Sequence, residues 1–223
     1  MTGMRNAMAG IGAAVAVAAL LTGCSGGDTG DGAEEAKGLT AAEVCRGFAK
    51  DAPTVAALTA AMGSERFRDG MSEPDKALDL LKDATEAPLA DSYRPQPVKY
   101  CWLLPAEGEK DGLSIEFGPA KKAPGLNQEH AKVVTSYASG LQAYSSSGLG
   151  RLYFSCSLKE PAHDIVVEAV VHGPGGIPET DLEQRTRLIT LANAAARQVS
   201  EKLGCEKDGL ATGVPSPTAH PTS

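Results

Sequence analysis

The sequence predicts an α+β fold: a roughly four-stranded antiparallel sheet covered by N-terminal helices and a long C-terminal amphipathic helix. Three observations carry this. Apolar residues recur at helical spacing near both ends of the chain. Between them the period drops to two, in short runs separated by turn residues. About 170 residues lie between two polar, Gly-rich or Pro-rich ends, the size of one ordinary domain.

The first element, "GLTAAEVCRGF", opens with a capping box in which Thr40 caps and Glu43 reaches back. Ala41, Val44, Cys45 and Phe48 then share one helical face, which turns Cys45 inward. A second helix starts at Pro53, a favourable first-turn proline, carries Val55, Leu58 and Met62, and stops at Gly63. A third follows Ser72 as cap, with Ala77, Leu78 and Leu81 inward. Its Asp75, Asp79 and Asp83 lie four apart beside Lys76 and Lys82 and read as a solvated face rather than a cation site.

Strand signals come next. "VKYCWLLP" is β-rich, and "LSIEFG" alternates Leu113, Ile115 and Phe117 against Ser114 and Glu116. The turn residues of "AEGEKDG" join them as a hairpin. In "RLYFSCSL", Leu152, Phe154, Cys156 and Leu158 face one way and Tyr153, Ser155 and Ser157 the other; "DIVVEAVVHG" is the fourth strand. A second capping box, Thr180 and Glu183, opens the covering helix. Along it Leu182, Ile189, Ala192, Ala196, Val199 and Leu203 form one stripe, closed by Gly204.

Residues 119–150 show little periodicity, and a connection of that length is usually functional. Its second half, "SYASGLQAYSSSGLG", has the Tyr, Ser and Gly mixture of adaptable binding loops. Tyr137, Leu141 and Tyr144 are its expected contact residues. The alternatives are a mobile cover, or a helix from Gln128 to Leu141.

The address is read from "MTGMRNAMAGIGAAVAVAALLTGCSGG". Arg5, an apolar run from Ala7 to Leu21 and then small residues follow the order of a secretory signal peptide. The run is short and Ala/Gly-rich for a membrane span. Leu21, Thr22, Gly23 and Cys24 resemble the bacterial lipobox. That resemblance implies recognition of Leu21, Thr22 and Gly23 by the lipoprotein signal peptidase, removal of residues 1–23, and diacylglycerol on the Cys24 sulfur. Two acyl chains give the stable anchoring that one does not. Residues 24–38 then form a flexible tether, with an r.m.s. span of roughly 20 Å for its 14 residues after the cysteine. The single domain covers 39–205, and 206–223 is expected to be a disordered tail.

The formal charge of −7 becomes −8 without residues 1–23, which hold Arg5 and no acid. A net-acidic chain with no Lys/Arg cluster is a poor partner for nucleic acid or anionic headgroups. Besides Cys24, the chain holds Cys45, Cys101, Cys156 and Cys205, an even number that predicts two disulfides in an exported protein. Four cysteines allow three pairings. Helices at both ends with strands between favour Cys45 with Cys205 and Cys101 with Cys156. No C-x-x-C, G-x-S-x-G, S-x-x-K, H-E-x-x-H or P-loop occurs. His130, His163, His172 and His220 are isolated, so no catalytic residue, metal or cofactor is assigned.

The lipobox, the tether, "EVC" in the first helix, "YCWLL" in the first strand and the two later cysteines together resemble the small secreted lipoproteins of actinobacteria whose function is unknown. The resemblance spans most of residues 20–205, with Cys101 and Trp102 adjacent where those proteins often show Cys-x-Trp. It implies an envelope address at the outer face of the cytoplasmic membrane and no activity. The expected function is therefore a non-enzymatic binding or accessory module that meets an envelope protein or other envelope component through the 119–150 loop. The alternative is a carrier of a lipid or other apolar molecule in a sheet–helix cavity.

Overall fold

A computed structural model describes residues 38–86, 89, 96–108, 111–159 and 162–222. The expected signal peptide, the Cys24 motif and the expected tether up to residue 37 lie outside the described residues. The chain runs through a single 3-10 turn at Val44–Arg46, α1 (Ala52–Met62), β1 (Phe67–Asp69), α2 (Pro74–Glu86), β2 (Val98–Pro105) and β3 (Leu113–Ala120). It continues through α3 (Gln128–Val133), β4 (Thr135–Ala138), β5 (Gln142–Ser145), β6 (Leu149–Cys156), β7 (Ile165–His172), α4 (Leu182–Leu203) and β8 (Ser216–Ala219).

The strands form one open antiparallel sheet in the order β1-β2-β3-β7-β6-β5-β4-β8. The α+β class holds, and the four predicted strands are β2, β3, β6 and β7. The sheet is twice as wide as expected, because β1, β4, β5 and β8 are each three or four residues long.

Directly opposed residues of antiparallel strands share a face. The row Phe117, Ala169, Leu152, Ala143 and Tyr137 crosses five strands on the inner face, and every member is buried. α4 lies over β5, β6 and β7, while α2 covers β2 and β3 and α1 packs on α4. Leu113, Ile115, Phe117, Leu152, Phe154, Val167, Leu188, Ile189 and Leu191 have no exposed surface. Each large apolar side chain buried in this way stabilises the fold by about 1.5–3 kcal/mol. The helix approaches β6 closely: a Cβ at Gly150 would lie 2.9 Å from the Leu188 carbonyl carbon.

Local chemistry explains the helix ends. Asp51 accepts from the Thr54 amide at 2.9 Å to start α1, and Gly63, at φ +59°, ends it by donating to the Thr59 carbonyl. On α2, Ala77, Leu78 and Leu81 are buried, while Asp75, Asp79 and Asp83 are exposed. Asp75 pairs with Arg46, and Asp79 pairs with Lys82 at 3.5 Å. Ser72 is not a cap; its Oγ accepts from the Trp102 amide at 2.8 Å. α4 starts one residue after Asp181, whose side chain accepts from the Gln184 amide, and Gly204 closes it at φ +76°.

Three expectations are corrected. The first helix is a single 3-10 turn: Cys45, Arg46 and Gly47 all have positive φ (47°, 61° and 72°), which breaks helical continuation. Ala41, Val44, Cys45 and Phe48 are nevertheless buried, and Glu43 does accept from the Thr40 amide at 2.7 Å. The disulfides are Cys45–Cys101 and Cys156–Cys205, not Cys45–Cys205 and Cys101–Cys156. The left-handed turn directs Cys45 onto β2. After Gly204 the chain bends back to the end of β6, where the Glu206 amide donates to the Ser157 carbonyl at 2.8 Å.

The third correction concerns the tail. Residues 206–222 are ordered along the sheet and α4. β8 pairs with β4, and the Gly140 amide donates to the Gly209 carbonyl at 2.8 Å. Buried Asn193 of α4 donates from Nδ2 to the carbonyls of Ala211 (2.9 Å) and Gly213 (3.1 Å). Its Oδ1 accepts from Ser139 Oγ at 2.6 Å, and Ser139 Oγ in turn accepts from the Ala211 amide at 3.2 Å.

Candidate functional site

Residues 119–150 form strands and a short helix rather than a loop. α3 begins at Asn127, whose side chain accepts from the His130 amide at 2.8 Å, and β4 and β5 then make a hairpin within the sheet. This separates the three expected contact residues. Tyr137 is buried on the inner face, its hydroxyl 3.1 Å from Thr186 Oγ1, and burial pushes its ionisation above the ordinary range. Leu141 is exposed at the hairpin turn. Tyr144 is buried on the outer face, where its ring meets the His130 imidazole edge-on at 5.3 Å.

The outer face beside Tyr144 carries a polar ladder. Tyr144 is opposite Arg151 across β5 and β6, and Tyr153 is opposite Glu168 across β6 and β7. Arg151 Nε lies 3.3 Å from Glu168 Oε1, the same oxygen that accepts from the Tyr153 hydroxyl at 2.6 Å. Burial and that bond to the carboxylate raise the Tyr153 phenol well above its usual range. A small apolar cluster of Val134, Tyr144 and Tyr153, backed by Ala120, Ala123, Leu126 and Val166, roofs this part of the sheet.

At the end of the sheet, where the β5–β6 turn lies, a groove of about 680 Å³ opens between α3, the strand ends and the first turn of α4. Val133, Val134, Tyr144, Leu149, Leu182 and Pro221 supply its apolar walls; His130, Arg151, Glu179 and Arg185 supply most of its polar ones. Val133 and Leu182 are 48% and 44% exposed, high for large apolar side chains that share one concavity.

Arg185 braces the groove. It is 2% exposed, and a charge so buried must be paired. Nη1 donates to the Val133 carbonyl at 2.8 Å, and Nη2 donates to the Glu179 carbonyl at 2.7 Å and its carboxylate at 3.1 Å. Ser147 completes the clasp, its Oγ donating to Glu179 Oε1 at 2.8 Å and its amide to Oε2 at 3.3 Å. The start of β4, the β5–β6 turn and the approach to α4 are thereby tied together. Pro221 is held at the rim by the Thr222 amide, which donates to the Lys132 carbonyl at 3.0 Å.

Of the contact residues and histidines singled out from sequence, Tyr144 and His130 reach this groove, together with Thr180 and Leu182 around the start of α4. His163 sits at the turn before β7, with its amide on the Thr85 carbonyl, and His172 ends β7. Among the described residues no group of three or more His, Cys, Asp or Glu side chains is placed to hold a metal ion. Sequence reasoning placed Leu182 on the covering stripe of α4, where it is instead 44% exposed, and missed Arg151 and Val133. Two signals pointed to them: Arg151 heads the "RLYFSCSL" run, and "KVV" is the apolar pair inside the aperiodic stretch.

The two disulfides fit an extracytoplasmic protein. Among the described residues no helix is long and apolar enough to cross a membrane. Comparison of the chain with protein-family models, with curated proteins and with solved structures returned no match.

Proposed function

We propose that this protein is a non-enzymatic binding module of the cell envelope, held at the outer face of the cytoplasmic membrane by diacylglycerol on Cys24, with the layout of the small actinobacterial lipoproteins. The recognition site is the groove between α3, the β5–β6 turn and α4. The observation that carries this is the groove's size and walls: about 680 Å³, with partly exposed Val133 and Leu182 on its sides and a few polar groups at fixed positions. Small-molecule sites have these proportions. The sheet–helix interface, the alternative place for an apolar ligand, is filled by side chains with no exposed surface. The groove is therefore the better home for such a ligand.

Placement supports the reading. The domain enters the sheet where Leu39 bridges to Phe67 of β1. Five strand steps separate β1 from β5, about 24 Å at the usual strand spacing. Leu39, near the first described residue, therefore lies at one edge of the sheet, and the groove is lined by strands nearer the other.

Two measurements test it. Metabolic labelling with an alkynyl fatty acid is expected to tag the protein, and Cys24→Ala to abolish both the tag and membrane retention. Titration of the mature chain with the neutral fluorophore N-phenylnaphthylamine is expected to saturate, and Val133→Glu to weaken it about tenfold by placing a charge on the apolar wall. Labelling that survives Cys24→Ala would overturn the anchor. A non-saturating titration, or one indifferent to Val133→Glu, would overturn the groove.

A further inference from the structure

We propose, resting on that groove reading, that the ligand is a single-chain amphiphile with one carboxylate, its hydrocarbon body between Val133 and Leu182 and its charge on Arg151. The apolar half follows from the walls: α3 and the first turn of α4 each place a partly exposed aliphatic side chain in one concavity, with Leu149 and the Tyr144 ring between them. Covering such surfaces by hydrocarbon is favourable by roughly 25 cal/mol per Å².

The charge follows from which guanidinium a ligand can reach. A guanidinium has five N–H donors. Arg185 directs Nη1 and Nη2 to two carbonyls and a carboxylate of the protein itself, and with its side chain only 3% exposed it is closed to a ligand. Arg151 is ion-paired with Glu168 at 3.3 Å, and its Nε has no hydrogen-bond partner. Its side chain keeps about a third of its surface exposed, so a carboxylate entering the groove meets a cation already held in place by the sheet.

Glu179 sets the limit on ligand charge. It lines the same groove and is paired with Arg185 at 3.1 Å, which leaves the Arg151 guanidinium to meet the ligand's charge. That favours a monoanion over a phosphate monoester.

The test is displacement of N-phenylnaphthylamine from the full mature chain carrying Cys24→Ser, using dodecanoate, dodecanol, dodecylammonium and dodecyl phosphate below their aggregation concentrations. Dodecanoate is expected to displace at the lowest concentration. Arg151→Gln is expected to weaken dodecanoate about tenfold, the scale of one charge-assisted hydrogen bond, and to leave dodecanol unchanged. Should Arg151→Gln fail to fold, the four-ligand series on the unsubstituted groove decides alone. If dodecanol, dodecylammonium or dodecyl phosphate displaces as well as dodecanoate, the carboxylate assignment is wrong and the groove reading stands. If the fluorophore never saturates, both fall.

Discussion

Peptide mapping without reduction will return Cys45 joined to Cys101 and Cys156 joined to Cys205, and Cys156→Ser with Cys205→Ser will destabilise the domain by about 4 kcal/mol. The magnitude comes from chain entropy. The bridge closes a loop of 49 residues, and cross-linking a loop of that length removes roughly 4 kcal/mol of unfolded-state freedom. Structure adds to this. The bridge pins the end of α4 to the end of β6, and the ordered C-terminal segment begins directly after it. Loss of the bridge therefore also loosens residues 206–222. A urea midpoint unchanged by the double substitution would show that the loop is held by its neighbours instead.

Asn193→Leu will lower stability by about 2–4 kcal/mol and release the C-terminal segment. The side chain is 1% exposed and satisfies the Ala211 and Gly213 carbonyls while accepting from Ser139. Leucine keeps the branched heavy-atom skeleton, with bulkier methyl groups, but leaves those groups unpaired, at about 1–3 kcal/mol each where they stay dry. β8 has little else to hold it: all four of its residues are exposed, and its pairing with β4 is irregular. Released, the segment takes Pro221 from the groove rim, so fluorophore binding weakens as well. The check is denaturant unfolding together with hydrogen exchange at residues 210–219. Exchange there equal to that of the unsubstituted protein would overturn the latch.

How much of this was legible depended on how strongly each element patterns its side chains. α4 declared itself through a stripe that ends at Gly204, and β3 and β6 through clean alternation. β4 and β5 did not: "TSYA" and "QAYS" are four residues each, and cover on both faces of the sheet removes the polar half of the alternation. Tyr137 is buried inward and Tyr144 outward. β8, "SPTA", buries no side chain and is held through its backbone, so no hydrophobic signal marked it. The cysteine pairing failed at one place. Three consecutive left-handed residues at Cys45, Arg46 and Gly47 redirect Cys45 in a way that helical spacing does not reveal.

The groove was only partly legible for a different reason. His130 and Tyr144 stand out in the sequence, but the residues that complete the groove are set far apart, and Val133 and Pro221 lie in segments with no apolar periodicity. Arg151 is on β6 and Leu182 opens α4. The antiparallel register puts Arg151 opposite Tyr144, and that register depended on the unseen strand β5. Arg185 brings the two ends together through the Val133 carbonyl, a contact 52 residues apart that no local pattern encodes.

Hydrogen–deuterium exchange on the mature chain, with and without dodecanoate, tests the binding site most directly. Slowed exchange is expected at residues 128–134, 146–151 and 182–185, with the rest of the sheet unchanged. Slowing confined to α2 and β1, or none at saturating ligand, would contradict it.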